Sequence, residues 1–196
     1  MANFISKLFQ KTPQLDEAKL ALQAQISVQN AVLDKHLVAL AVQQNRLQAI
    51  ESLISLTTVV DESNLRTLHD EINLLKEYVL AYKALKGENF FITLQNNVDE
   101  SSDYKIFPFV LIPLVQNAIV NGYTTMEKYP IRMKLNSIGD TFKIEVSNRV
   151  NHYIVNQEDT ALIDNFKARL ELIYPNKHSL FINSNSATFK ATLLLI

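Results

Sequence analysis

The sequence predicts an α+β protein: an N-terminal helical segment, then a sandwich whose helices lie on one face of a mixed sheet. Three observations predict it. From Leu15 to Val60 there is no glycine or proline, and the stretch is rich in Ala, Leu and Gln, the composition of helix. From Leu65 onward the apolar periodicity switches between helical and alternating spacing, in the order helix, strand, helix, two strands, helix, two strands. Apolar residues make up 47% of the 196, enough for a core that needs no disulfide staples, and the chain has no cysteine to make any.

Taken in order, residues 1–15 read as a tail, 16–62 as a helical dimerisation segment and 63–196 as the sandwich domain. Ile26, Leu33, Leu40, Leu47 and Ile54 recur every seven residues, the signal of a coiled-coil seam. Two arrangements suit that seam. One is a hairpin turning near Gln43-Gln44-Asn45 and pairing with a second chain as a four-helix bundle; the other is a single long helix. Asp61-Glu62-Ser63-Asn64 marks the boundary. Leu65 to Lys86 follows as a helix with Leu68, Ile72, Leu75, Val79 and Tyr82 on one face and Gly87 closing it. Phe90 to Asn96 alternates as a strand. Pro108 to Gly122 reads as a buried helix: Val110, Leu111, Leu114, Val115, Ala118 and Ile119 share a face, Pro108 sits near its start, and Gly122 stands where a left-handed cap is expected. Gln116 and Asn117 interrupt that face, and Asn121 follows Asn117 by one turn. Ile131 to Leu135 and Thr141 to Ser147 form a hairpin through Gly139. Thr160 to Tyr174 is helical, and Leu180 to Asn183 pairs with Thr188 to Ile196.

Composition excludes several classes of function. The net charge of −1 and pI near 6.4 argue against nucleic acid and anionic membranes as partners. The longest apolar run, Phe107 to Val115, is broken by proline and too short to span a bilayer. Met1 to Gln10 carries Phe4, Ile5, Leu8 and Phe9 without the apolar core of a secretory signal, so a cytoplasmic location is expected. Gly87, Gly122 and Gly139 lie far apart, which excludes a phosphate-binding loop built on clustered glycines. His69, His152 and His178 show no metal-ligand spacing.

Pro113-Leu114-Val115-Gln116-Asn117-Ala118-Ile119-Val120-Asn121-Gly122 resembles the N box of LytS-type sensor histidine kinases, P-L-V-E-N-A-I-K-H-G, at seven of ten positions. That family belongs to the Bergerat ATP-binding superfamily, so the resemblance implies an ATPase-like sandwich. It places Asn117 where an asparagine offers its amide oxygen to magnesium on ATP, a hard ligand for a hard cation. The resemblance extends along the chain. Leu22 to Gln29 is similar to the H box, L-K-A-Q-I-N-P-H, with Ala24, Gln25 and Ile26 kept. Leu68 to Gly87 keeps Leu68, Glu71, Tyr78 and Gly87 of a following conserved segment. Asn148 occupies the adenine-reading aspartate position of the first glycine box. Asn165 and Arg169-Leu170 match the pattern N-x-x-x-R-L after the second. A nucleotide pocket would therefore gather Asn117, Asn121, Asn148, Asn165 and Arg169, with magnesium on Asn117 if ATP binds.

The departures fall on the chemistry. Gln29 replaces the phosphorylated histidine and has no nucleophilic nitrogen. Gln116 replaces the N-box glutamate, and an amide cannot act as a general base. Val150, His152 and Leu162 stand where the glycine boxes let backbone approach the nucleotide. The expectation is a degenerate kinase: a dimeric regulatory module with no cofactor, joined through residues 16–60 and binding a response-regulator receiver domain or an active histidine kinase. The alternative is a histidine phosphotransferase with a vestigial kinase domain, whose phosphoacceptor would be His36, seven residues after Gln29. His36 shares its heptad position with Leu22 and Ile50, which predicts partial burial. A third possibility is an active kinase using Mg-ATP with unusual motifs.

Overall fold

A computed structural model describes residues 13–153 and 160–196. The tail assigned to residues 1–15, including its Phe4–Phe9 stretch, lies outside the described residues as far as position 12.

Five strands make the main sheet. β2 (Ile92–Asn97) pairs in parallel with β4 (Ile131–Ile138); β4, β5 (Thr141–Arg149), β7 (Thr188–Leu195) and β6 (His178–Ser184) then run antiparallel, in the order β2-β4-β5-β7-β6. Two residues of β1 (Arg66–Thr67) pair with β3 (Lys105–Ile106) beside it. Period-two alternation decides the faces. Ile131, Met133 and Leu135 on β4, Phe142, Ile144 and Val146 on β5, and Ala191, Leu193 and Leu195 on β7 are all buried, while their neighbours point the other way. The β4–β5 turn is the expected one, with Ile138 paired to Thr141 and Gly139 at φ 55°.

Helices α4 (Leu68–Lys86), α5 (Ile112–Asn121) and α6 (Ala161–Ile173) contribute the other half of that core. The face read from α4 is buried at every position, and Gly87 closes the helix at φ 73°. The order of helices and strands and the one-sided sandwich agree with the sequence reading.

Two corrections concern α5. It begins at Ile112, so Pro113 rather than Pro108 occupies the first turn. Gly122 is extended (φ −102°, ψ 164°) and not a left-handed cap. Its glycine is needed for space: a Cβ there would collide with the Ala118 carbonyl and lie 2.5 Å from Asn148 Nδ2.

The N-terminal segment departs further from expectation. It is three helices, α1 (Pro13–Val32), α2 (Lys35–Gln43) and α3 (Glu51–Thr58), with a 3-10 turn at Leu47–Ala49. The break at Gln44–Asn45 was anticipated, and Asn45 takes φ 54° there; the break at Leu33–Asp34 was not. α1 lies along α6 of its own domain. The two breaks reset the helical phase, so residues seven apart no longer share a face. Leu33 and Leu47, expected in the seam, are 50% and 54% exposed. The buried stripe of α1 is Ala24, Ser27, Val28 and Ala31, small residues at helical spacing that permit close approach. His36 is exposed, not partly buried.

Asp34 makes the unanticipated break. Its Oδ1 caps α2 by accepting from the backbone N–H of His36 (2.8 Å) and Leu37 (3.3 Å). Its Oδ2 accepts from the hydroxyls of Tyr78 (2.6 Å) and Tyr82 (2.7 Å) on α4. Burial first, and then the Asp34 charge, raise both tyrosine pKa values, so both hydroxyls stay donors. Asp34→Ala removes a cap and leaves two buried hydroxyls unpaired; we expect a loss of roughly 3–5 kcal/mol in urea unfolding. A loss below about 1 kcal/mol would show that the clamp does not hold the segment down.

Candidate functional site

The site is built around α5, whose residues Ile112 to Ile119 are all buried. Burial on this scale forces each polar side chain to find a partner inside the fold. Gln116 Nε2 donates to the carbonyl of Asn30 on α1 (3.2 Å), while its Oε1 is buried without a partner. Asn117 Oδ1 accepts from Asn121 Nδ2 at 2.9 Å, one turn away.

β5 delivers the third asparagine. Its alternation places Asn148 on the same face as Phe142, Ile144 and Val146, directed at the helices. The end of β5 is stitched to the end of α5: Tyr123 N donates to Arg149 O (3.0 Å), Asn151 N to Asn121 O (3.2 Å), and Gly122 bridges Val150. Asn148 Nδ2 donates to the Arg149 carbonyl (2.9 Å), and its Oδ1 is buried with no partner.

Beside these asparagines lies a cavity of about 310 Å³. Asn117, Asn121 and Asn148 form its polar wall; Val150, Ile163, Ile182 and Phe189 form its apolar walls. Thr160, Asp164 and Lys167 stand at its helical side, where Asp164 accepts from Thr160 Oγ1 (2.7 Å) and pairs with Lys167 Nζ (3.2 Å). The Thr160 hydroxyl, followed by Lys167, holds the Asp164 carboxyl below its usual range.

Apolar walls and an unpartnered Asn148 oxygen suit a flat ring that brings one N–H donor. At the polar end the Asn117 oxygen accepts from Asn121, and Lys167 pairs with Asp164.

The structure brings together Asn117, Asn121 and Asn148 of the predicted site. Asn165 is buried on α6 but does not line the cavity, and neither does Arg169. Gln29 is exposed on α1, one residue before the carbonyl that Gln116 holds. His36 edges a separate groove with Leu40, Tyr82 and Ile119.

Arg169 has structural work instead. Its Nη2 donates to the Pro108 carbonyl at 2.6 Å, holding the loop in which Phe109 takes φ 60° just before α5. Glu71, fully buried on α4, lies 3.7 Å from Arg66 and within the field of Arg169. The backbone amides of Phe109 and Leu111 favour its charged form but do not reach good hydrogen-bond geometry. Sequence reading found Glu71 and Arg169 only as matched family positions; the field of Arg169 on Glu71 acts between residues distant in sequence and leaves no local signal.

Burial outweighs the guanidinium charges and pushes the Glu71 carboxyl up to about 7 from an ordinary 4.5. Between those values the folded state holds more protons than the unfolded state, so this residue's contribution makes stability fall as pH rises, by at most about 1.4 kcal/mol per pH unit. Denaturation midpoints of wild type and Glu71→Gln across that window should diverge, with the variant flatter. Parallel curves would show that Glu71 does not titrate there.

No protein-family model matches the chain, and no curated protein matches it. Among solved structures it is similar to the Acinetobacter baumannii histidine kinase AdeS, with 11% identity, TM-score 0.48, 90% of this chain and 94% of that one covered. It is also similar to the nucleotide-free catalytic domain of histidine kinase ThkA, with 16% identity, TM-score 0.44, 67% and 93% covered. A third is the histidine kinase domain of the Erythrobacter litoralis EL346 blue-light activated kinase, with 10% identity, TM-score 0.45, 91% and 95% covered. At these identities the likeness concerns architecture and assigns no activity.

Proposed function

We propose that this chain is a degenerate histidine-kinase-like module of two-component signalling, of LytS type by its motifs, that acts by binding a response-regulator receiver domain or an active kinase. One observation carries the reading. The side chain at the general-base position, Gln116, is spent holding the backbone of α1 next to Gln29, the phosphoacceptor position. Two amides occupy the places where phosphoryl transfer needs a base and a nucleophile, and one of them serves as a structural tie.

Phosphotransfer through His36 is the second reading, favoured by the exposure of that imidazole. Its weakness lies in the neighbouring carboxylate. Both oxygens of Asp34 are engaged, by two backbone amides and two tyrosine hydroxyls, so none is left to orient the ring.

The tests separate the readings. Millimolar Mg-ATP should give no thermal shift and no self-phosphorylation, because a ligand stabilises a fold only when its concentration exceeds its dissociation constant. A clear upward shift with phosphate incorporation would restore an active kinase. Incubation with a phosphorylated receiver should leave His36 unmodified by mass spectrometry; an acid-labile phosphate there, lost in His36→Gln, would establish the transfer reading.

A dimer through residues 16–60 belongs to the proposal, with Leu22, Leu33, Leu47 and Leu56 as the exposed leucines it would cover. Sedimentation should show a dimer that Leu33→Asp with Leu47→Asp converts to monomer, since burying either new carboxylate unpaired is costly. A wild-type monomer at high concentration would remove dimerisation from the reading.

A further inference from the structure

The sheet has a second face. Opposite the helices, residues of β2, β4, β5, β7 and β6 alternate outward, and none of these outward positions is buried. Strand register lays them out as a grid. Arg132 on β4 stands across from Ser147 on β5, which stands across from Lys190 on β7; one row along, Lys134 stands across from Glu145, and Lys143 lies a row beyond. Four cations surround one carboxylate, a local excess of three positive charges on a chain whose net charge is −1.

The single carboxylate organises the patch without neutralising it. Glu145 pairs with Lys190 at 3.0 Å and lies 3.7 Å from Lys143. Its hydrogen bond to Lys190, then the lysine charges around it, hold its carboxyl below the usual range, so it remains an anion. Arg132 and Lys134 have no ion-pair partner within 4 Å among the described residues. They stand at the rim of a hollow of about 390 Å³ that Thr93, Gln95 and Ser147 also line with hydrogen-bonding groups.

We infer that this open sheet face is a docking surface for a helix of a partner protein that carries clustered carboxylates. Spacing supports the match. Alternate residues on a strand lie about 6.8 Å apart and neighbouring strands about 4.8 Å apart. Glutamates at i and i+4 on a helix stand about 6 Å apart, so two of them can meet Arg132 and Lys134 together. A convex helix also suits a hollow better than a flat surface does. Nucleic acid is the poorer occupant, because an excess of three charges is small beside the six to ten phosphate contacts of a typical binder. Among the described residues, the outward strand positions carry one aromatic, Phe181 on the far edge strand, and Tyr129 at the rim is covered by Arg149, so the face offers no stacking platform. The inference is independent of the kinase-like reading, since it uses no residue of the cavity or of α1.

The test uses fluorescence anisotropy with a labelled Ala/Glu helical peptide of about 20 residues, at about 50 mM and about 200 mM salt. Wild type should bind the peptide, more weakly at the higher salt. Arg132→Glu with Lys134→Glu should weaken binding about tenfold or more, whereas Lys19→Glu with Lys76→Glu, the same change in net charge elsewhere on the surface, should leave it within about twofold. Should the first pair fail to fold, Arg132→Gln with Lys134→Gln replaces it, with a loss of about threefold or more expected. No binding at low salt, equal losses in both pairs, or tighter binding of a DNA strand of equal charge would each overturn the proposal.

Discussion

The constraint on which the rest of the structure depends is the burial of α5 from Ile112 to Ile119. Along that stretch the helix has little access to solvent, so its side-chain amides and the loop that launches it are answered by other groups of the protein. Asn30 answers Gln116 from α1, Asn121 answers Asn117 from the next turn, and Arg169 fastens the Pro108 carbonyl from α6. Two elements from distant parts of the sequence, α1 and α6, are tied to this helix and its launching loop.

That constraint also explains the character of the cavity. Around it Asn117 is paired with Asn121 and Lys167 with Asp164. Among the described residues lining the cavity, the Asn148 oxygen is the buried side-chain atom left with an unmet hydrogen bond. The space persists because its walls come from the sheet, α5 and α6, which the fold requires.

Glu71 and Arg169 both match family positions; in the fold Arg169 fastens the Pro108 carbonyl before α5, and Glu71 lies buried beside Arg66. Such a cluster is a weak source of stability, because desolvation offsets most of the attraction, and its value lies in specifying one loop conformation. Asp34 does the same for the N-terminal helices by joining a cap to two tyrosine hydroxyls.

By itself the sequence determined the element order, the faces of α4 and the strands, the turns at Gly87 and Gly139, and the gathering of Asn117 with Asn121. Each of these rests on spacing within one or two turns of chain, where backbone geometry dictates which side chains are neighbours. Tertiary structure alone decided where the N-terminal helices lie, why Gly122 must be glycine, and which oxygen of the site is left unpaired. The heptad of Ile26, Leu33 and Leu40 predicted a seam, but a carboxylate at Asp34 found its tyrosines more than forty residues away and broke the helix there. Gln116 found its carbonyl 86 residues earlier. Partners at such separations follow no local period, so they become visible only once the chain has folded.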